Sequence, residues 1–216
     1  MAKSFILQLG HSLHRLPRHI WQASMLLLGA TAACGQAATS AAGTSPPPFS
    51  VHEVAKFSSP WAMAFLTGSG RPLLDAALLT EKEGNLWVVD TNSGAKTAVT
   101  GVPAVHVAGQ GGLGDVAVHP EFVVNRRVYL SFVEAGPGET SGAAVGYGTL
   151  DLADRARPVL TGFKIIWRQS PKVEGNGHFS HRIAFGPDGL LYLTSGDRQN
   201  SPPHRTWAAI SARCCG

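Results

Sequence analysis

Residues 175–200 read GNGHFSHRIAFGPDGLLYLTSGDRQN and predict a β-hairpin. Residues 182–185 (RIAF) are a short, mostly apolar run. The next four residues, GPDG, are typical of a tight turn, because proline presets φ and glycine accepts a positive φ. Residues 190–194 (LLYLT) are rich in aliphatic, aromatic and β-branched side chains, as strands usually are. The pattern therefore predicts two antiparallel strands joined by this turn.

Two polar side chains lie at the open end of the predicted hairpin. His178 comes just before the first strand, and Asp197 comes just after the second. A hairpin brings such residues close together, so a base and the carboxylate that orients it could meet there. Taken singly, His178 could also be an ordinary polar residue and Asp197 a turn former.

The roles of two neighbouring residues, His181 and Arg182, cannot be decided from the sequence. Arg182 could be a cation for an acidic ligand or an ordinary strand-edge residue. His181 is three residues from His178, a spacing that serves a metal site only on a helix or with further ligands, and the sequence shows neither. No metal site is therefore predicted here.

The chain from Val51 onwards repeats the strand–turn–strand pattern. A strand is predicted at 61–65, and strand pairs at 76–81 with 85–90 and at 113–119 with 127–133. The second strand of each pair holds an aromatic residue, as do residues 191–194. No amphipathic helix of more than two turns is evident after residue 50, and the 25 Gly and 14 Pro suit strands and turns. The fold class is predicted to be all-β, with propeller blades preferred and a β-sandwich as the alternative.

A glycine-rich segment, Gly109–Gly114 (GQGGLG), formally satisfies G-x-G-x-x-G. A dinucleotide-binding loop would open a helix at this point. Residues 115–119 instead alternate like a strand and meet Pro120, so dinucleotide binding is rejected. The segment is predicted either to turn tightly beside a ligand, with the Gln110 amide as a hydrogen-bonding group, or to be a surface loop.

The N-terminus is typical of an exported protein. Residues 1–38 combine basic side chains, an apolar run at 20–33 and small residues, which predicts a signal peptide. Cleavage before Cys34 with lipidation of that cysteine is the second interpretation, and an uncleaved N-terminal anchor is the third. Residues 39–50 predict an extended Pro/Ser/Ala linker. The expected location is the periplasm or the exterior, with membrane attachment only through a lipid on Cys34.

Composition argues against nucleic-acid binding, a disulfide-rich fold and a C-x-x-C zinc site. The net charge is +4, and much of the excess lies in the first eighteen residues and the tail, so no basic face for nucleic acid is predicted. The 3 Cys residues do not form a disulfide framework, and no C-x-x-C zinc pattern occurs.

Several motifs together resemble one family, the soluble quinoprotein glucose/sorbosone dehydrogenases, also called aldose sugar dehydrogenases. Their order and spacing match the family over about residues 51–200. The motifs are residues 61–65 (WAMAF), 79–85 (LTEKEGN), 109–122 (GQGGLGDVAVHPEF), 128–131 (VYLS), 177–183 (GHFSHRI) and 186–199 (GPDGLLYLTSGDRQ). The resemblance implies a six-bladed β-propeller, of which residues 51–200 form about the first two to three blades.

The resemblance also implies a reaction. The family oxidises the anomeric hydroxyl of an aldose to a lactone, by hydride transfer to pyrroloquinoline quinone (PQQ). By motif position, His178 resembles the general base, Asp197 the carboxylate that orients it, and Gln110 a residue beside the quinone and the sugar. The particular sugar and the electron acceptor stay open. The alternative function is a non-catalytic propeller fragment that binds a glycan or a protein at the cell surface.

The chain departs from the family in three respects. His181 stands where several relatives have a small residue. The family's later quinone-binding cations and its Ca²⁺ ligands are expected beyond this chain. Residues 201–216 (SPPHRTWAAISARCCG) form a tail without a strand pattern. An N-terminal fragment that is inactive alone is therefore expected.

The tail predicts a shifted reading frame. A one-base shift of codons for the family's usual continuation would encode HRTWAAISARCC, which stands at residues 204–215. Sequencing the gene past codon 200 tests this: family-like codons should continue in the other frame, and their absence would contradict the frameshift.

Overall fold

The computed structural model describes residues 49–68 and 71–199. The predicted signal peptide, the lipidation site at Cys34, most of the predicted linker and the predicted tail lie outside the described residues. The described part contains ten strands and one short helix. These are β1 (Pro60–Gly68), β2 (Arg71–Glu81), β3 (Asn85–Asp90), β4 (Lys96–Ala98), β5 (Leu113–Val118), α1 (Phe122–Asn125), β6 (Arg127–Ala135), β7 (Ser141–Asp151), β8 (Val159–Arg168), β9 (Ser180–Phe185) and β10 (Leu191–Ser195).

The strands form two four-stranded sheets and a hairpin. The orders are β1-β2-β3-β4 and β5-β6-β7-β8, and every neighbouring pair is antiparallel. Strand β9 pairs with β10 in the same way. The first strands of the three units lie side by side, β1 against β5 and β5 against β9. This is the arrangement of propeller blades around an axis. The prediction of two to three blades is confirmed, and the sandwich alternative is wrong.

The predicted hairpin forms with the expected turn. Leu191 pairs with Phe185 and Leu193 with Ile183. Gly189 has a φ of 74°, and its N–H donates to the carbonyl of Gly186 over 3.0 Å. The turn therefore uses glycine where the backbone enters the left-handed region.

Strands β4, β7 and β8 were not predicted. Strand β7 contains Gly142, Gly146 and Gly148, and glycine is depleted from strands because it loses much entropy there. Strand β8 did carry a short sequence signal, since the polar Lys164 stands between the apolar Phe163 and Ile165. Strand β4 has only three residues, too few for any period to show.

Two apolar clusters hold the sheets and the hairpin together, and a third packs Phe179 against Val133 and Ala143 of the second sheet. The first lies between the two sheets and includes Leu66, Leu78, Leu86, Leu113, Phe122, Leu130 and Phe132. The second joins Tyr129 and Val145 of the second sheet to Ile183 and Leu191 of the hairpin. Burying a side chain of this size stabilises a fold by roughly 1.5–3 kcal/mol. The first cluster therefore holds the two sheets together, and the second holds the hairpin against the second sheet.

Buried polar side chains cross both boundaries. Between the two sheets, the Thr80 hydroxyl donates to the carbonyl of Gly114 over 2.6 Å. Between the second sheet and the hairpin, the buried Asp115 carboxylate accepts from Arg182 Nη1 at 3.0 Å and from the N–H of Ile183 at 2.9 Å. Arg182 is thus a partner of Asp115, which favours the structural one of its two interpretations.

Replacing Asp115 with Asn should therefore loosen the hairpin. The amide keeps the size of the side chain but loses its charge. It also presents an N–H₂ group to at least one of the three groups that donate to Asp115, which belong to Arg182, Ile183 and Val116. We expect the free energy of unfolding to fall by about 2–4 kcal/mol, measured by urea unfolding followed by tryptophan fluorescence. Asp154→Asn is the matched control, because its pair with Arg157 is exposed and should contribute less than about 1 kcal/mol. Equal losses in the two variants would contradict the bridging role of Asp115.

Candidate active site

His178 and Asp197 meet at the end of the hairpin. The distance from His178 Nδ1 to Asp197 Oδ1 is 2.9 Å, and the same oxygen accepts the N–H of Gln199 at 3.1 Å. A carboxylate can only accept, so Nδ1 carries the proton and Nε2 keeps its lone pair. The imidazole is 52% exposed, so a substrate could approach it. The predicted contact between the two side chains is present.

Gln110 joins the same site from the glycine-rich loop. Its side-chain Oε1 accepts the backbone N–H of His178 at 2.8 Å, and its backbone N–H donates to the carbonyl of Asn176 at 2.7 Å. The structure therefore brings together all three residues that the sequence singled out. Because the Oε1 atom is occupied by His178, the amide N–H₂ group is the part of Gln110 left to face a ligand.

Two glycines allow the backbone segments to approach this closely. Gly109 has a φ of 52°, and a Cβ there would overlap the carbonyl oxygen of Asn176. A Cβ at Gly196 would overlap the carbonyl oxygen of His178. The glycine-rich segment is thus packed against the site, in agreement with the first of its two interpretations.

The backbone of the site is unusually strained. Six non-glycine residues in the described ranges have positive φ, and five of them lie here: His178 (50°), Ser180 (61°), His181 (42°), Arg198 (56°) and Gln199 (60°). Left-handed conformations cost about 1–3 kcal/mol each and are retained where the surrounding structure enforces them. This strain could not be predicted from the sequence, since these positions are not glycine or asparagine.

The side chain of His181 is buried, whereas that of His178 is exposed. His181 is 1% exposed, its Nδ1 is 2.8 Å from the Ser131 hydroxyl, and its ring is parallel to that of Trp61 at a centroid distance of 6.4 Å. His178 is exposed, so the two histidines do not face a common ligand. In the ranges that the structure describes, no group of three or more His, Cys, Asp or Glu side chains could hold a metal ion.

Burial changes the protonation of His181. Removal from water lowers the pKa of His181 from 6.5 to about 4, with Arg182 acting in the same direction and Asp115 opposing it. The imidazole is therefore neutral near pH 7 and can accept a hydrogen bond from Ser131. Sequence reasoning left its contribution open, because its partner Ser131 is 50 residues away in the sequence.

Comparison with known proteins identifies the family. A family model described as Glucose / Sorbosone dehydrogenase matches residues 57–211. The chain belongs to this family. It is 37% identical over 149 residues to the aldose sugar dehydrogenase YliI of Escherichia coli. The matched stretch covers 68% of this chain and 38% of that protein. The family resemblance predicted from the motifs is confirmed.

Solved structures of glucose/sorbosone dehydrogenases agree with the fold. A structure titled glucose dehydrogenase has a TM-score of 0.59 at 42% identity, over 65% of this chain and 41% of that one. The PQQ-bound form of aldose sugar dehydrogenase from Streptomyces coelicolor has a TM-score of 0.54 at 25% identity, over 69% and 42%. The chain thus spans about two fifths of the length of these relatives. The predicted domain boundaries and the roles of His178, Asp197 and Gln110 stay predictions.

The low pKa of His181 predicts acid sensitivity of the fold. Unfolding raises its pKa from about 4 to 6.5, so the stability due to neutral His181 is complete above about pH 6.5. It is lost as the pH falls towards 4, by up to about 3 kcal/mol. Urea unfolding between these pH values should show a shallower pH dependence for His181→Gln than for the unsubstituted chain.

His52→Gln is the control for that experiment, since His52 is exposed. Burial also lowers the pKa of His119, and this adds the same pH dependence to the free energy of unfolding of every variant. An unchanged slope in His181→Gln would show that His181 does not carry the effect.

Proposed function

We propose that this chain carries the general base of a PQQ-dependent aldose sugar dehydrogenase, with His178 as that base. The observation that carries the proposal is the 2.9 Å contact between His178 Nδ1 and Asp197 Oδ1 on an exposed imidazole. The names of the matched relatives, glucose and aldose sugar dehydrogenases, supply the substrate class.

The proposed step begins with a proton at the anomeric hydroxyl of an aldose. Oxidation to the lactone removes that proton together with a hydride, which is the hydrogen on C1 with two electrons. His178 Nε2 takes the hydroxyl proton, because its lone pair is fixed by the proton on Nδ1. Asp197 orients the ring and stabilises the imidazolium that forms, as a carboxylate does when it accepts from the other ring nitrogen.

PQQ, when bound, supplies the two-electron acceptor. The residues near His178 suit the sugar-facing side of such a site, because the Gln110 amide can donate to a quinone or sugar oxygen. Lys82 adds a cation beside it, with its Nζ bonded to the carbonyl of Gly109. Among the described residues, no group of three or more His, Cys, Asp or Glu side chains could hold a Ca²⁺ ion.

Turnover needs more of the propeller than the described residues provide. Two blades and one hairpin are present, and the matched stretch is 38% of the length of the Escherichia coli relative. We therefore expect the 216-residue chain alone not to oxidise aldoses. The non-catalytic binder is not favoured, because the named relatives are dehydrogenases.

Export to the periplasm or the exterior is part of the proposal. It rests on residues 1–38, for which the sequence predicts a signal peptide. Among the residues with a described position, no helix is long and apolar enough to cross a membrane.

A chimera tests the base. Residues 49–199 would replace the matching segment of the Escherichia coli aldose sugar dehydrogenase, and glucose oxidation would be followed with added PQQ and an artificial electron acceptor. His178→Ala in this chimera should lower kcat by about 10²–10⁴-fold, with KM changed only a few-fold, because the base acts mainly in the transition state.

His52→Ala is the control in the same chimera and should leave both constants unchanged. A His178→Ala chimera that binds PQQ and turns over like its parent would overturn the assignment. A chimera that binds glucose without oxidising it, while the recipient enzyme is active, would favour the binder instead.

A further inference from the structure

Arg198 is a buried cation directly after Asp197. It is 2% exposed, and its hydrogen-bond partners among the described residues are all uncharged. Burying an arginine without a carboxylate is costly unless its donors are fully satisfied. The burial of this charge is unfavourable by itself, and it occurs directly beside the candidate base and its partner.

All five N–H groups of the Arg198 guanidinium have an acceptor. Nε donates to the carbonyl of Gly177 at 3.0 Å, and Nη1 donates to the carbonyl of Ser141 at 2.7 Å and to Gln169 Oε1 at 3.4 Å. Nη2 donates to the Ser141 hydroxyl at 3.1 Å and to the carbonyl of Gly175. The donor set is thus complete.

These contacts surround the segment that holds His178. The side chain of Arg198 binds the carbonyls of Gly175 and Gly177, and its backbone N–H donates to the carbonyl of His178 over 3.2 Å. Its guanidinium carbon lies 3.7 Å from the centroid of the Phe179 ring. One residue therefore contacts the backbone or ring of four of the five residues from 175 to 179.

The other end of the guanidinium is fixed to the second sheet. Ser141 is the first residue of β7, and Gln169 directly follows β8. Segment 175–179 belongs to no strand, and His178 has a positive φ. Without an anchor, this segment would relax towards more favourable backbone conformations.

We propose that Arg198 is a positioning residue, which anchors the His178 segment to the second sheet and so holds the imidazole against Asp197. The anchoring contacts follow from the structure alone, whereas their effect on catalysis rests on the proposed function. Lysine should not replace arginine here, because an ammonium has three donors and no planar fork to reach acceptors on two segments.

The test measures the tautomer of His178 directly. Long-range ¹H–¹⁵N spectra of the labelled 216-residue chain, at about pH 8 where an ordinary histidine is neutral, distinguish a protonated from an unprotonated ring nitrogen. In the unsubstituted chain, His178 should hold its proton on Nδ1. In Arg198→Lys, its two nitrogen signals should move towards the mixed tautomers of a free histidine, while the buried His181 keeps its own signals.

Two further variants make the result decisive. Arg157→Lys is the matched control, since Arg157 is exposed, and should change nothing. Ser141→Ala removes one acceptor and should shift the His178 signals partly. If Arg198→Lys fails to fold, as loss of the His181 signals would show, Ser141→Ala decides, and unchanged His178 signals there would overturn the proposal.

Kinetics separate this proposal from the function itself. In the chimera, Arg198→Lys should lower kcat by about 10–100-fold with KM nearly unchanged, because a displaced base loses catalysis more than binding. A folded Arg198→Lys protein with His178 signals and kcat like those of Arg157→Lys would refute the positioning role. An inactive parent chimera whose His178 tautomer still depends on Arg198 would refute the proposed function and leave the positioning role standing.

Discussion

The bond between blades at Asp115 is the constraint on which the site depends. Hairpin β9–β10 has only two strands, and a lone hairpin is marginally stable in water. The Asp115 carboxylate joins this hairpin to β5 through the N–H of Ile183 and the guanidinium of Arg182. The apolar cluster around Tyr129 and Ile183 adds burial at the same boundary. The position of the hairpin, and hence of the two side chains at its end, is set from the second sheet.

The same sheet also enforces the conformation of the site. The left-handed residues from His178 to Gln199 are unfavourable by themselves, and they are held by bonds that come from other segments. The amide of Gln110 binds the backbone N–H of His178 on one side, and Arg198 binds the neighbouring carbonyls on the other. Strain in the local backbone is thus offset by hydrogen bonds over long sequence distances, which is a common arrangement where a side chain must be held in one orientation.

The sequence predicted the residues of the site better than their surroundings. The contact of His178 with Asp197 followed from a turn signal and two strand patterns, which are local properties. Gln110 was singled out from its glycine-rich segment and from the family motif, but its approach to His178 could not be predicted, because it depends on packing between units. The burial of Arg198 and of His181 could not be read locally, since arginine and histidine are usually exposed or half-buried and their partners, Ser141 and Ser131, are distant in sequence. Strand β7 was missed because its glycines hide the period on which strand prediction relies.

The neutral state of His181 has a consequence for enzymology of this site. Acid should protonate this residue as the protein unfolds, and its ring lies 6.3 Å from that of Phe179, the residue after His178. Any activity of the chimera measured at acid pH would therefore fall in part because the folded state is lost. Activity and circular dichroism recorded on the same samples would separate unfolding from a change in turnover.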